Sequence, residues 1–332
     1  MLTESLGQLS IDNLTKIYSK SKGKKALDSV TFSVPARGIF VLIGRNGSGK
    51  TTLVRILSTE LEPTSGRASI NGIDVMTEAD QLRQKIAIVP QESRTVPWMT
   101  PLQTVSSYLL WRGFDYSYAK QRAMETLERL GLGNSARRLN RTLSGGNRRK
   151  VLVATVLASE AEIIFLDEPT TGLDPISRRE FWEMLREIGK DRFTFLTTHY
   201  LEEAEELADQ IGVLDRGKLM GIGTLDQLRK RVSYNYSMKI PISPAPPSTL
   251  KISKGEMVRG KDEYRILTTE EEAFDLSREL SRIGYRFTIN PVSLDDIFFY
   301  LVDKQSGDSS EIGENEDRAR RRSGNYWAAQ QE

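Results

Sequence analysis

Residues 39–51 read IFVLIGRNGSGKT, and the fold turns on this stretch. Ile39 to Ile43 is an unbroken apolar run, which marks a short strand buried on both faces. Gly44 to Thr51 follows at once and satisfies the phosphate-loop pattern, with glycines at both required places and then Lys and Thr. Glycine permits tight turns at positive φ, so successive backbone N–H groups along Gly44, Asn46, Gly47, Ser48 and Gly49 can converge on a β-phosphate. A helix expected from about Lys50 aims its positive end at the same phosphates. Lys50 then spans the β- and γ-phosphates, the Thr51 hydroxyl ligates Mg2+, and Thr52 belongs to the same nucleotide-binding set. The alternative is a purely structural Gly-rich turn. A buried strand before it and a helix after it argue against that.

Working outward, a second apolar run ends in acid: Ile163 to Pro169 reads IIFLDEP. Such a strand delivers Asp167 to the carboxyl edge of a parallel sheet, where ligands bind in α/β folds. Asp167 can hold a Mg2+-bound water, and Glu168 can polarise the attacking water. Taken alone, the pair is equally a solvated strand end; the phosphate loop decides between the two. Phe193 to Thr198 is a third strand, rich in β-branched and aromatic residues, and His199 follows it. Leu143 to Asn147 (LSGGN) precedes a helical stretch, RRKVLVATVLA. Ser144, Gly145 and Gly146 therefore form a second anion-binding helix start without a phosphate loop of its own. Two such ends and one phosphate loop suggest sites shared across a dimer.

Composition sets the outer limits. The chain has 332 residues, 38% hydrophobic and 28% charged, enough for a sizeable core in one large or two ordinary domains. Lys plus Arg is 47 against 45 for Asp plus Glu, a net charge of +2, which argues against a dedicated nucleic-acid binder. Cysteine is absent, which excludes disulfides, thiol catalysis and Cys-bound zinc. The single histidine, His199, cannot build a His-rich metal site. Mean hydropathy is −0.41 and no apolar run approaches the ~18 residues of a membrane span. The start, MLTESLGQLSIDNL, lacks the basic and apolar regions of a signal peptide. These features lead us to expect a soluble cytosolic protein.

Strand-like and helical stretches alternate, as in an α/β domain with a largely parallel sheet. Between Thr100 and Leu132 the character is helical, opened by Thr100-Pro101-Leu102-Gln103 with a Thr cap, Pro at the first helical position and Gln completing a capping box. A helical subdomain is expected over about 92–142, within a nucleotide-binding domain of 1–232. Ile240 to Pro247 (IPISPAPP) reads as a strand end or linker. Beyond it, a strand is expected at Glu263–Leu267. A helix follows, capped by Thr269 with Glu272 in the capping-box position and Ala273, Leu276, Leu280 and Ile283 as its apolar stripe. A strand at Arg286–Asn290 and a helix at Ser293–Val302 complete a small α+β domain over 233–302. Residues 303–332, polar and ending in a basic run at Arg318–Arg322, read as a disordered tail.

Residues 10–230 resemble the ATP-binding cassette (ABC) ATPases. LSGGN is close to that family's LSGGQ signature, with Asn147 where Gln is more usual. Gln91 in IVPQE resembles the Q-loop, Gly172-Leu173-Asp174-Pro175 the D-loop, and His199 in FTFLTTHYLEEAE the H-switch. Tyr18 in LTKIYSK matches the aromatic that stacks on adenine. Read alone, His199 is more often a satisfied core or surface histidine, and its place just after a strand, 31 positions beyond Glu168, reverses that; for Tyr18 and Gln91 the bland alternatives are a packed aromatic and a plain loop amide. The resemblance implies an α/β P-loop NTPase cassette with a parallel-sheet core and helical subdomain, followed by a small α+β C-terminal domain.

It also implies ATP and Mg2+ as cofactors. Lys50, Gln91, Glu168 and His199 would be catalytic, and Thr51, Gln91 and Asp167 metal ligands. Tyr18, the phosphate loop, Ser144, Gly145, Gly146 and Asp174 would be nucleotide contacts, some made across a head-to-tail dimer. The partners implied are a separate transmembrane permease and a second nucleotide-binding subunit, a second copy or a related chain, at the cytoplasmic face of the cell membrane. The signature LSGGNRRK and the ending SLDDIFFYLV resemble ATPase subunits of drug, sodium, lipid or polysaccharide exporters.

A soluble ABC ATPase acting on ribosomes or nucleic acid is the competing class. It would normally fuse two cassettes or insert long coiled coils, whereas here one phosphate loop stands 94 positions before Ser144. A binding protein without turnover would be expected to lose Glu168 or His199. Trp98 and Met99, in the loop before Thr100, are expected to dock the permease; Trp111 either joins them or fills the insert's own core.

Overall fold

The computed structural model describes residues 7–19, 23–242, 252–259 and 263–306. The chain divides into two compact units at 225/226. Within the first, the elements run β1 (Gln8–Ile17), β2 (Lys25–Pro35), β3 (Ile39–Ile43), α1 (Lys50–Leu57), β4 (Ser65–Ile70), β5 (Ile73–Asp74), α2 (Ala79–Lys85) and β6 (Ile86–Val89). Then come α3 (Pro101–Trp111), α4 (Tyr116–Arg129), α5 (Gly145–Ala158), β7 (Ile163–Asp167), α6 (Pro175–Gly189), β8 (Phe193–Thr198), α7 (Leu201–Leu207), β9 (Gln210–Asp215) and β10 (Lys218–Gly223). Helix α8 (Leu225–Arg231) falls at the division.

The three apolar runs are central strands, buried along their whole length. They lie in a six-stranded sheet of order β10-β9-β3-β8-β7-β6, parallel except for β10. Its register pairs Ile43 with Thr198, Asp167 with Thr197, and Val89 with Leu166. The residues that follow these strands, Gly44, Glu168, His199 and Gln91, are therefore delivered to one carboxyl edge. β1, β2, β4 and β5 form a separate antiparallel sheet whose strands alternate between buried and exposed residues. One core joins the two sheets through α1: Phe32 stacks on Phe40 at 5.6 Å, Phe40 meets Phe195 at 5.0 Å, and Phe195 meets Phe165 at 5.7 Å.

The helical insert begins as its sequence dictates. Thr100 Oγ1 accepts from Gln103 N at 3.1 Å, and Gln103 Oε1 accepts from Thr100 N at 2.9 Å, closing the capping box. Its core joins Val105 and Leu109 of α3, Ala123 and Leu127 of α4, and Val151, Ala154 and Ala158 of α5, so it runs on beyond residue 142. Trp111 takes no part in that core and is 81% exposed, so the core-filling alternative for it is excluded. Among the described residues no helix is long and apolar enough to cross a membrane.

The second unit contains β11 (Tyr236–Pro241), β12 (Gly255–Arg259), β13 (Glu263–Thr268), α9 (Glu270–Arg282), β14 (Thr288–Pro291) and α10 (Leu294–Ser306). Its antiparallel sheet has the order β12-β13-β11-β14, and Met238, Ile240, Ile266, Leu276 and Leu280 form its core. Two local expectations are corrected. Thr269 caps α9, but the Glu272 carboxylate turns away from the cap and accepts from the Ser253 and Lys254 backbone N–H groups and the Thr268 hydroxyl. Those donors hold the Glu272 carboxyl below its ordinary range against the opposing effect of burial. Ile283 lies at the C-cap and is exposed, so the buried stripe ends at Leu280. Residues 243–247 of the Pro-rich stretch, and the tail from residue 307 with its basic run, lie outside the described residues.

Candidate active site

The phosphate loop closes tightly under its own glycines. Gly47 and Gly49 have φ of +77° and +111°, and a Cβ at Gly49 would lie 2.4 Å from the Ala26 carbonyl oxygen. Lys50 opens α1 and is 4% exposed. Its ammonium donates to the Gly44 and Arg45 carbonyls at 2.8 and 3.3 Å and pairs with Glu168 Oε1 at 3.2 Å. A buried lysine needs such partners, because an unpaired ammonium out of water is strongly unfavourable.

Glu168 is where the site residues meet. It is 6% exposed and has φ of +46°, a left-handed conformation uncommon outside glycine. Its backbone N–H donates to both the carbonyl and the hydroxyl oxygen of Thr197, each at 3.1 Å, which holds the turn. Oε1 faces Lys50. Oε2 lies 3.1 Å from His199 Nδ1, 3.2 Å from Gln91 Nε2 and 3.3 Å from Thr171 Oγ1, the last two donating to it. Asp167, one residue earlier, accepts from the Thr197 hydroxyl at 2.5 Å. Four of the residues named from sequence, Lys50, Gln91, Glu168 and His199, thus share one carboxylate. Tyr18 follows β1, and its hydroxyl lies 3.3 Å from that of Thr52 on α1, which sets the ring beside the phosphate loop.

The signature and D-loop residues are not part of this cluster. Ser144 is the N-cap of α5, its hydroxyl accepting from Asn147 N at 3.2 Å. Gly145 is exposed, and a Cβ there would meet nothing within 4 Å. Asp174 caps α6, accepting from the N–H groups of Ile176 and Ser177 and from the Ser177 hydroxyl. The Ser177 hydroxyl and backbone hold the Asp174 carboxyl below its ordinary range. A groove of about 530 Å³ lies between Gln91, Pro97, Gly145, Arg148 and Thr171, so the Q-loop and the signature share a surface.

Three contributors escaped the sequence reading: Thr171, Thr197 and Arg149. Arg149 is buried beneath the acidic turn. Its guanidinium donates to the Pro169 carbonyl at 2.8 Å, to those of Asp167 and Glu168 at 3.3 Å, and to Gln91 O at 3.5 Å. Burial lowers its pKa from the ordinary arginine value, and Asp167 opposes that shift. In the run RRK it looks like any solvated helix charge; its place two residues after Asn147 was the one available clue.

The donor set suits a magnesium nucleotide. Ser48 Oγ is buried without a hydrogen-bond partner inside the loop, which is what a missing phosphate oxygen would leave. A hydroxyl at Thr51, an amide at Gln91 and a carboxylate at Asp167 offer the hard oxygen donors that Mg2+ takes, and so small a set would leave it waters and phosphate oxygens.

A family profile described as ABC transporter matches residues 27–171. The daunorubicin/doxorubicin resistance ATP-binding protein of Streptomyces peucetius is 31% identical over 323 residues, 93% of this chain and 97% of that one. The doxorubicin resistance ATP-binding protein of Mycobacterium tuberculosis is 38% identical over 233 residues, covering 70% of each. Among solved structures, the dimeric post-hydrolysis state of an ATP-binding cassette bound to ADP and Pi is 25% identical, with a TM-score of 0.60 over 65% of this chain and 98% of that one.

Proposed function

The chain belongs to the ABC transporter family of ATP-binding proteins, and from that premise we propose that Glu168 activates water for attack on the γ-phosphate of ATP held at Lys50. It is an ATP-hydrolysing subunit of an exporter-type transporter. The observation that carries the mechanism is the convergence of Lys50, Gln91 and His199 on the Glu168 carboxylate.

In-line phosphoryl transfer to water asks for positioning and charge stabilisation rather than covalent chemistry. Incoming phosphates compete with Glu168 for the Lys50 ammonium. As Lys50 turns to them, Oε1 loses its cation and can accept a proton from the attacking water. His199 and Gln91, both on Oε2, keep the carboxylate aimed while this happens. Thr51, Gln91 and Asp167 would hold Mg2+, which neutralises phosphate charge when bound. Ser144, Gly145, Gly146 and Asp174 complete the site of an opposing cassette in a head-to-tail dimer. Their absence from the Glu168 cluster supports that division.

The working partner is a separate permease, and the chain sits peripherally at the cytoplasmic face of the membrane. Trp98, 75% exposed, is presented for docking by a braced loop: Asn140 N donates to Met99 O at 2.8 Å, and Asn140 Nδ2 to Val96 O at 2.9 Å. Amphipathic drug-like molecules are the cargo class suggested by the names of the relatives.

The test is Glu168→Gln. ATP binding should persist and hydrolysis should fall by ~10²–10⁴-fold, the usual contribution of a general base. The ATP-bound dimer should accumulate in gel filtration. Turnover near the native rate would remove Glu168 from this role.

A further inference from the structure

One carboxyl in this region has no part in the chemistry described above and yet lies between segments that adjoin it. Glu203 lies on α7, four residues after His199, and is fully buried. Its Oε1 accepts from the indole Nε1 of Trp182 at 3.1 Å, and its Oε2 from the Thr170 hydroxyl at 3.1 Å. Thr198 and the Arg178 cation both lie close enough to the same carboxyl to favour its charged form. These neighbours come from different segments around the hydrolysing centre. Thr170 is two residues beyond Glu168 and is itself fully buried. Trp182 belongs to α6, the helix that Asp174 caps. Thr198 is the strand end immediately before His199.

A second contact runs alongside. The Tyr200 ring lies 4.1 Å from the His199 ring, and the Arg178 guanidinium lies 4.0 Å from the centroid of Tyr200. Arg178 and Trp182 are one turn apart on α6, so this helix grips the 199–203 segment at two points. A buried carboxyl carried by one segment and bonded to two others fixes their separation more sharply than apolar packing, because each bond is lost steeply with misalignment.

We propose that Glu203 is a positioning residue for ATP hydrolysis: by tying Thr170 and Trp182 to α7, which begins two residues after His199, it fixes the Glu168–Pro169 turn relative to His199. The inference rests on the hydrolytic reading of Glu168. Burial raises the Glu203 pKa above the ordinary carboxylate value, while the three donors act against that shift. Glutamine is therefore the apt conservative replacement, keeping an acceptor for Trp182 and a donor for Thr170.

The experiment measures kcat, KM and ATP Kd for the full chain with its native partners. Glu203→Ala should lower kcat by roughly 10- to 100-fold, the scale of misplacing a catalytic group by about 1 Å. ATP Kd should stay within about threefold, because no nucleotide contact is removed. Glu203→Gln should restore kcat to within about threefold of native. A purely structural role would lower stability without this kcat-specific loss and rescue. If Glu203→Ala does not fold, Thr170→Val and Trp182→Phe, each deleting one bond to the carboxyl, decide the matter. A fall in kcat at unchanged Kd in either one supports positioning, and native kcat in both overturns it. A folded Glu203→Ala chain with native kcat, or with kcat and Kd falling together, also overturns it. Glu168→Gln, run in parallel, separates the two failures: native turnover there sinks the hydrolytic reading, whereas native turnover in folded Glu203→Ala sinks positioning alone.

Discussion

The Gly44–Thr51 loop is closed in by its own chain, whereas the Ser144–Gly146 helix start stands open. A Cβ added at Gly44 would lie 2.3 Å from the Leu214 carbonyl oxygen, and one at Gly145 would meet nothing within 4 Å. Lys50 is buried among two carbonyls and a carboxylate, while Ser144 is exposed and its hydroxyl accepts the capping bond of its own helix. Both are helix N-termini, which favour anions. In the proposed head-to-tail dimer this difference has a use: the first is a finished half-site and the second is the surface an opposing cassette covers. Arg149 joins them. Sitting on α5 with the signature, it donates to the backbone carbonyls of Asp167, Glu168 and Pro169, so the helix that carries the open end is bonded directly to the acidic turn of the closed one.

The sharpest way to break this contrast is to block the open end. Ser144→Arg should leave ATP binding by the isolated chain intact and cut turnover by about 10²-fold or more, the scale of losing a donor to transition-state charge. Lys50→Ala should be inactive for the opposite reason, having lost the closed end. Mixed together, the two should regain part of the activity, because one composite site in each heterodimer is whole. Mixtures that form heterodimers and stay as inactive as either variant would mean that the ends are not shared.

How much of this was legible beforehand follows the same contrast. The three central strands and the order of the motifs were plain because burial on both faces leaves unbroken apolar runs, and phosphate binding imposes residue types at fixed spacing. The Thr100 capping box was readable for a similar reason, since a local bond needs only local sequence. The Glu272 box was not. Its carboxylate found the Ser253 and Lys254 N–H groups, brought beside it by the packing of β12 against β13, and that tertiary offer outcompeted the local cap. Arg149, Thr171 and Thr197 failed to stand out because their work depends on which backbone lies above them. Trp111 was ambiguous because helical spacing cannot say which face a neighbour covers, and the structure leaves it exposed.

A second test leaves both ends alone and asks whether the surface beyond Gln91 is separate from them. Trp98→Asp should preserve folding and ATP affinity while weakening association with permease-containing membranes by roughly thirtyfold, or about 2 kcal/mol for a buried aromatic anchor. Sedimentation with those membranes reads it directly. Equal association of both forms would remove Trp98 from the docking surface, and a loss of ATP binding would show that the loop serves the closed end after all.

The smallest expected effect sharpens the comparison from inside the closed end. If that half-site binds nucleotide by itself, the adenine should gain from Tyr18 in an isolated chain, with no second cassette present. Stacking on an aromatic ring contributes ~1–3 kcal/mol, and Tyr18, 36% exposed and tethered to Thr52 at its hydroxyl, belongs at the lower end of that range. Tyr18→Ala should therefore raise the ATP Kd by about fivefold, equivalent to about 1 kcal/mol. Tyr18→Phe keeps the ring and loses the hydroxyl with its contact to Thr52, so it should stay within about twofold of native, which separates stacking from the tether. The triphosphate alone should bind the native chain and Tyr18→Ala equally, since no base is present to stack. Isothermal titration of the monomer with both ligands makes the comparison. A fivefold loss for triphosphate as well as for ATP would mean that Tyr18 shapes the phosphate loop through Thr52 instead of receiving the base, and the closed end would then depend on β1 as well as on its own glycines.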